Sequence, residues 1–116
     1  MKHFSLRLWD PEQKTLLYSS EWGDLSWHVI EAAQAENRLM ICSGVKDMEG
    51  NFLYEGDFVK VFNTYKELLF FGQMIFKNGQ FMLETSELST HSRWINYEMI
   101  CVGNKFETPG MLQQED

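Results

Sequence analysis

The sequence predicts a small, mainly β protein: a barrel of short strands with an N-terminal strand pair and at most one short helix. Three observations predict it. Short runs with a two-residue apolar period recur between clusters of turn-forming residues, the pattern of an all-β domain. The stretch "MIFKNGQFML" places Asn78-Gly79 between two apolar runs, the strongest short-range hairpin signal, because a type I′ turn needs positive φ at both central residues. The chain has 116 residues, of which 44% are hydrophobic. That is one domain's worth of chain, long enough to build a core without disulfide or metal staples.

The elements follow in order. "HFSLRLWD" alternates, with Phe4, Leu6 and Leu8 on one side and Ser5 and Arg7 on the other. "DPEQ" supplies a turn, with Pro11 fixing φ, and "KTLLYSS" reads as a second strand. Residues 3–19 are therefore a strand pair. In "WGDLSWHVIEAAQAENR" the alanines at 32, 33 and 35 favour helix and Ser26 is an N-cap, which predicts a helix over about 27–37. "WHVI" alone would suit a strand. "RLMICSG" reads as a strand that stops at Gly44. "KDMEGN" is turn chemistry, "FLY" a brief extended piece, "EGD" another turn, and "DFVKVFN" a strand with Val59 and Val61 on one face.

In the Asn78-Gly79 hairpin, Lys77 faces Gln80, Phe76 faces Phe81, Ile75 faces Met82 and Met74 faces Leu83. Opposite residues share a face. Phe76, Phe81, Met74 and Leu83 are assigned to the core. Ile75 and Met82 go to a mixed outer face with Gln73, Lys77, Gln80 and Glu84. "SELSTHSRW" has loop character with room for one helical turn. "YEMICVG" is the last strand, stopped by Gly103-Asn104, and the tail docks through Phe106, Met111 and Leu112. Closing such an apolar sheet into a barrel would remove exposed edges.

The formal net charge is −7. Residues 1–60 carry 6 basic and 10 acidic residues and residues 61–116 carry 4 and 7, so the acidity is spread along the chain. An acidic domain without a basic stripe fits poorly with nucleic-acid binding by counterion release, and anionic membranes would repel it. "MKHFSLRLWD" has charges where a signal peptide needs an apolar stretch. The longest uncharged apolar run, "LLFFGQMIF", is too short for a membrane helix. Cys42 and Cys101 lie in apolar runs and match no zinc spacing, which favours two buried, reduced thiols in a cytoplasmic protein. The sequence leaves a single disulfide open.

The densest stretch is "SGVKDMEGNFLYEGDFVKV", residues 43–61. It suggests a cofactor loop, a metal loop or the corner of a barrel. It has too few oxygen ligands at alternate positions for a calcium loop, and its glycines match neither a phosphate-cradling loop nor a dinucleotide fingerprint. Backbone geometry is the simpler account. Gly50 and Gly56 suit positive-φ turn positions, Asp57 accepts backbone N–H bonds, and Tyr54 packs across the corner.

This stretch resembles the signature of the YopX-like family of phage and prophage proteins, in which a Ser/Thr-Gly start and a spaced Asp and Gly precede Tyr-Glu-Gly-Asp, an apolar residue and Val. Gly44, Asp47, Gly50, Tyr54, Glu55, Gly56, Asp57 and Val59 fall on that pattern. The start "FSLRLWDPEQKTLLY" is similar to the family's opening, with Arg7, Trp9 and Asp10 in place. "GQMIFKNGQFML" resembles its middle hairpin, and Val102, Gly103, Asn104 and Pro109 match its usual ending. Cys101 departs from the ending, and residues 20–38 have no clear counterpart. The resemblance implies a mostly β fold with an SH3-like barrel in its C-terminal part. The chain then reads as one domain over 1–116, with the strand pair and a variable segment in 1–40 and the barrel portion in 41–116. It also implies a bacterial host and a phage or prophage context. It brings no catalytic residue set.

The residues offer little chemistry. His3, His28 and His91 are scattered, Ser43 and Ser86 lack a nucleophile-elbow context, and carboxylates in turns cap backbone more often than they catalyse. No catalytic, cofactor-binding or metal-binding residue is assigned. The motif residues Gly44, Asp47, Gly50, Tyr54, Glu55, Gly56 and Asp57 are expected to be structural. Trp22 and Trp27, with His28 beside them, are the partner-binding candidates, since tryptophan is enriched at interaction hot spots; as residues they favour the core. The expected function is a non-enzymatic accessory protein that binds a host or phage protein in the bacterial cytoplasm, with homo-oligomers open. The alternative is a nucleic-acid-associated barrel, which needs a local basic patch such as Arg7, Lys46, Lys60 and Arg93 beside aromatics. A small hydrolase would need a pocket with converging carboxylates or histidines.

Overall fold

The computed structural model describes residues 5–23, 25–85, 90–91 and 97–109. They are mostly strand with one α-helix, and the chain divides into two compact units, Met1–Cys42 and Ser43–Asp116. The mainly β class expected from the sequence is what the chain adopts.

In the first unit, β1 (Leu6–Asp10) and β2 (Thr15–Tyr18) form an antiparallel hairpin in which Asp10 faces Thr15 and Arg7 faces Tyr18. Asp10 shapes the turn. Its Oδ1 accepts the N–H groups of Glu12 at 3.0 Å and Gln13 at 3.3 Å, and its carbonyl accepts Lys14 N–H at 2.7 Å. Lys14 closes the turn with a φ of 56°. A 3-10 turn (Ser19–Glu21) leads toward α1 (Trp27–Ala35). On its other side β1 pairs with β3 (Leu39–Lys46), Leu6 facing Ile41. Among the described residues of this unit, the buried hydrophobics are Leu8, Ala33, Met40 and Cys42.

The helix starts where the sequence puts it. Ser26 is extended, and its Oγ accepts His28 N–H at 3.1 Å, which satisfies one of the orphan donors of a helix start. It ends two residues before the expected position. Asn37 turns left-handed, with a φ of 60°, and donates to Gln34 O, while Arg38 N–H returns to Ala33 O at 2.7 Å. That pair of bonds is a Schellman stop with asparagine in the usual glycine position.

β3 does not stop at Gly44. Glycine takes a φ of 82° there and the strand continues to Lys46, in the second unit. This second half of β3 neighbours β4 (Phe52–Tyr54). β5 (Asp57–Phe62), β6 (Leu68–Lys77), β7 (Gln80–Thr85), β8 (Thr90–His91) and β9 (Glu98–Asn104) form a sheet in the order β8-β7-β6-β5-β9, curled into half a barrel. Val59, Val61, Met74, Leu83 and Met99 of this sheet form the core cluster together with Leu53 of β4.

The β6–β7 hairpin has the predicted register, from Lys77 facing Gln80 to Met74 facing Leu83. Asn78 and Gly79 both have positive φ, 55° and 79°. One part of the core assignment is corrected. Met74 and Leu83 are fully buried and Phe81 half-buried, but Phe76 is 40% exposed. It sits one residue from Lys77 and the turn, where the hairpin extends past the core. Its ring meets Phe81 edge-on, 4.9 Å between centroids, instead of meeting a layer beneath. The loop expected over residues 86–94 lies outside the described residues except for Thr90 and His91 of β8, and Met111 and Leu112 lie outside them as well.

Candidate functional site

Two regions hold the residues singled out in the sequence. The first is the corner over residues 43–61. Asp47 is buried, and its Oδ1 accepts the N–H groups of Glu49 and Asn51, both at 2.9 Å. Its Oδ2 accepts Cys101 N–H at 3.0 Å, from the last strand. Met48 N–H donates to Met99 O at 2.8 Å beside it. Gly50, with a φ of 86°, donates its N–H to Asp47 O. One carboxylate thus closes a tight turn and ties it to β9.

The second carboxylate works the same way. Asp57 is buried, and its Oδ2 accepts Tyr54 N–H at 2.7 Å. Between them Gly56 takes a φ of 94°, donates to Met74 O at 2.7 Å and accepts from Lys105 N–H at 2.9 Å. A Cβ at Gly56 would sit 3.2–3.3 Å from the Lys105 methylenes. Tyr54 is buried at this corner. The carboxylates of Asp47 and Asp57 therefore receive backbone donors, and the corner is built as a joint.

The second region lies within the first unit, between α1 and the β1–β2 hairpin. An open groove of about 440 Å³ runs there. Leu8, Leu17, Leu25, Val29 and Ala32 line it with hydrocarbon; Asp10, Glu12, Glu36 and Arg38 give it a charged rim. Arg38 is held in place: its Nε lies 2.7 Å from Glu36 Oε1 and its guanidinium donates to Trp9 O.

The three partner-binding candidates separate at this point. Trp22 is half-buried and its indole N–H donates to Leu17 O at 3.1 Å, so it braces the end of the hairpin. Trp27 is 66% exposed at the first position of α1, which corrects the core preference for it. His28 projects into solvent, 4.0 Å from Glu31. The groove itself went unread in the sequence. Val29, Ala32 and the C-cap Glu36 recur at spacings of three and four, a helical stripe, with Leu25 just ahead of the Ser26 N-cap. On the adjacent side of the helix Ala33 is fully buried and Ile30 half-buried.

The basic patch that nucleic-acid binding called for does not form as drawn. Arg7 is 3% exposed, with its Nε 3.4 Å from the Met40 sulfur. Arg93 lies outside the described residues. Lys46 and Lys60 do lie over aromatic rings, Phe52 at 5.2 Å and Phe71 at 5.7 Å. Neither Cys42 nor Cys101 is in a disulfide; Cys42 is buried and Cys101 half-buried. Among the described residues no three of histidine, cysteine, aspartate and glutamate gather in a metal-binding arrangement, and no helix is long and apolar enough to cross a membrane. His3 and Ser86 lie outside the described residues. Ser43 Oγ accepts Val45 N–H at 3.1 Å, a local turn bond.

No curated protein matches the chain. The family described as YopX protein matches it over residues 7–113, nearly its whole length. The chain belongs to that family.

Proposed function

We propose that this member of the YopX family is a non-enzymatic protein-binding module. It serves as an accessory protein of a phage or prophage and acts on a host or phage protein in the bacterial cytoplasm. The observation that carries the reading is the open groove of the first unit, lined with hydrocarbon by Leu8, Leu17, Leu25, Val29 and Ala32. Trp27 is exposed on the same helix without lining the groove, and it is a second apolar anchor for a partner, since tryptophan is enriched at interaction hot spots. The two buried motif carboxylates are occupied with backbone donors, which supports a joint over a catalytic pair.

The test is an affinity pull-down from host lysate, with and without phage infection, run in parallel on the native chain and on Trp27→Ala and Val29→Ser. The expected result is a protein captured by the native chain and lost with the variants while their melting curves stay native. A partner held equally by all three would move the interface elsewhere, first to the outer face of the β6–β7 hairpin.

The lysines over Phe52 and Phe71, with Lys105 over Phe106 at 5.3 Å, favour one second reading, a nucleic-acid-associated barrel. A titration with labelled single- and double-stranded DNA and RNA decides it. Binding tighter than about micromolar at physiological salt would defeat the protein-partner reading, since an acidic chain has few cations with which to release counterions.

A further inference from the structure

We propose that the groove between α1 and the β1–β2 hairpin receives a cationic amphipathic segment of a protein partner: apolar on the side that enters, with lysine or arginine on its flanks. The proposal rests on the protein-binding reading and specifies the chemistry of the partner.

The floor selects the apolar side. Leu8, Leu17, Leu25, Val29 and Ala32 present hydrocarbon to the groove, and Val29 is exposed. A segment that lays an apolar stripe along such a wall uses the helix-in-groove mode, in which spaced apolar anchors supply the affinity.

The rim selects the charge. Asp10 and Glu12 stand on the hairpin turn, and Glu36 and Arg38 at the end of α1. Arg38 is the one cation among the described lining residues, and its side chain is only 14% exposed. Glu36 and the Trp9 carbonyl already engage it. Glu36 and Arg38 cancel each other, so Asp10 and Glu12 give the rim its net negative charge beside an apolar floor. Lys14, on the same hairpin turn, does not line the groove. A cationic flank meets favourable potential beside the hairpin turn, where Asp10 and Glu12 stand, and an anionic flank is repelled there. Such rim charges set partner choice and association rate more than affinity.

The probes are three labelled synthetic peptides: one with leucines on a single helical stripe and lysines elsewhere, the same stripe with glutamates in place of lysines, and a lysine peptide of identical composition with the stripe scrambled. Binding is measured by fluorescence anisotropy at low and physiological salt. The striped lysine peptide is expected to bind at least about tenfold more tightly than either control at physiological salt, since each tenfold corresponds to one modest set of contacts. Glu12→Lys should narrow the gap between the lysine and glutamate peptides, and Val29→Ser should weaken both striped peptides.

Equal binding of the two striped peptides would overturn the charge selection and leave the protein-binding reading intact. Equal binding of the striped and scrambled lysine peptides would overturn the groove as the site. Binding of none, alongside a lysate partner lost with Val29→Ser, would overturn the cationic segment alone. A small apolar dye that fills the groove and is displaced by no peptide would overturn both this proposal and the reading beneath it.

Discussion

The corner at residues 47–57 and the helix at residues 27–35 treat their polar and aromatic groups in opposite ways. At the corner, Asp47 and Asp57 are buried and their oxygens receive backbone donors, and Tyr54 is buried with them. At the helix, the carboxylates of Glu31 and Glu36 face solvent and Trp27 stands out from the first turn. The corner has the family signature, dense in residues that look chemical. The helix belongs to a segment without a clear counterpart in that signature. Residues that look reactive in a sequence are therefore the frame here, and the plainer segment offers the surface.

The sharpest way to break this contrast is Asp47→Ala. It strips the acceptor from three backbone N–H groups, and a cost of about 3 kcal/mol is expected at roughly 1 kcal/mol per buried bond. Urea melts measure it. A variant as stable as the native chain would return Asp47 to the pool of functional candidates.

Next in size is Gly56→Ala. An L-residue at a φ of 94° is strained, and its Cβ would press on the Lys105 methylenes at 3.2–3.3 Å. A loss of about 2 kcal/mol is expected. A thermal melt without change would mean that the corner relaxes freely and that the glycine is kept for another reason.

Ser26→Ala carries the comparison into the helix. Loss of the N-cap should cost about 1 kcal/mol. Hydrogen exchange should show faster exchange in α1, at His28 above all, and unchanged protection in β5 and β6. Equal acceleration everywhere would join the helix to the frame and erase the distinction.

The smallest stability effect belongs to Trp27→Ala, within about 0.5 kcal/mol for an exposed position. Its effect should instead appear as lost partner capture. A large drop in melting temperature would make Trp27 a packing residue and remove it from the interface.

The β6–β7 hairpin was legible because Asn78-Gly79 is a local rule: two positive-φ positions set the turn, and the register follows. The exposure of Phe76 was not legible, since it depends on how far the hairpin extends past the core. The Ser26 cap is likewise local and was readable. The helix stop was missed because Asn37 adopts the left-handed turn that glycine usually supplies. Arg7 reads as a strand residue opposite the apolar side, and only the packed fold shows that its side chain is buried against Met40. The groove was half written in the sequence, as the Val29, Ala32, Glu36 stripe with Leu25 ahead of it. Its other wall, Leu8 and Leu17, comes from the two strands of the β1–β2 hairpin, so no local window contains both walls.

The bond from Asp47 to Cys101 spans 54 positions and has a consequence for the order in which the protein is made. As the chain leaves the ribosome, the Oδ1 bonds to Glu49 and Asn51 can form as soon as Asn51 has emerged, four residues after Asp47. The partner of Oδ2 arrives only with β9, after every other strand has been synthesised. Until then the nascent corner has a carboxylate oxygen that favours water over burial. The second unit should therefore stay loosely packed on the ribosome and lock only when its last strand is released. A chain stalled before Cys101 should remain open to proteases at residues 47–57, and one extended past Asn104 should not.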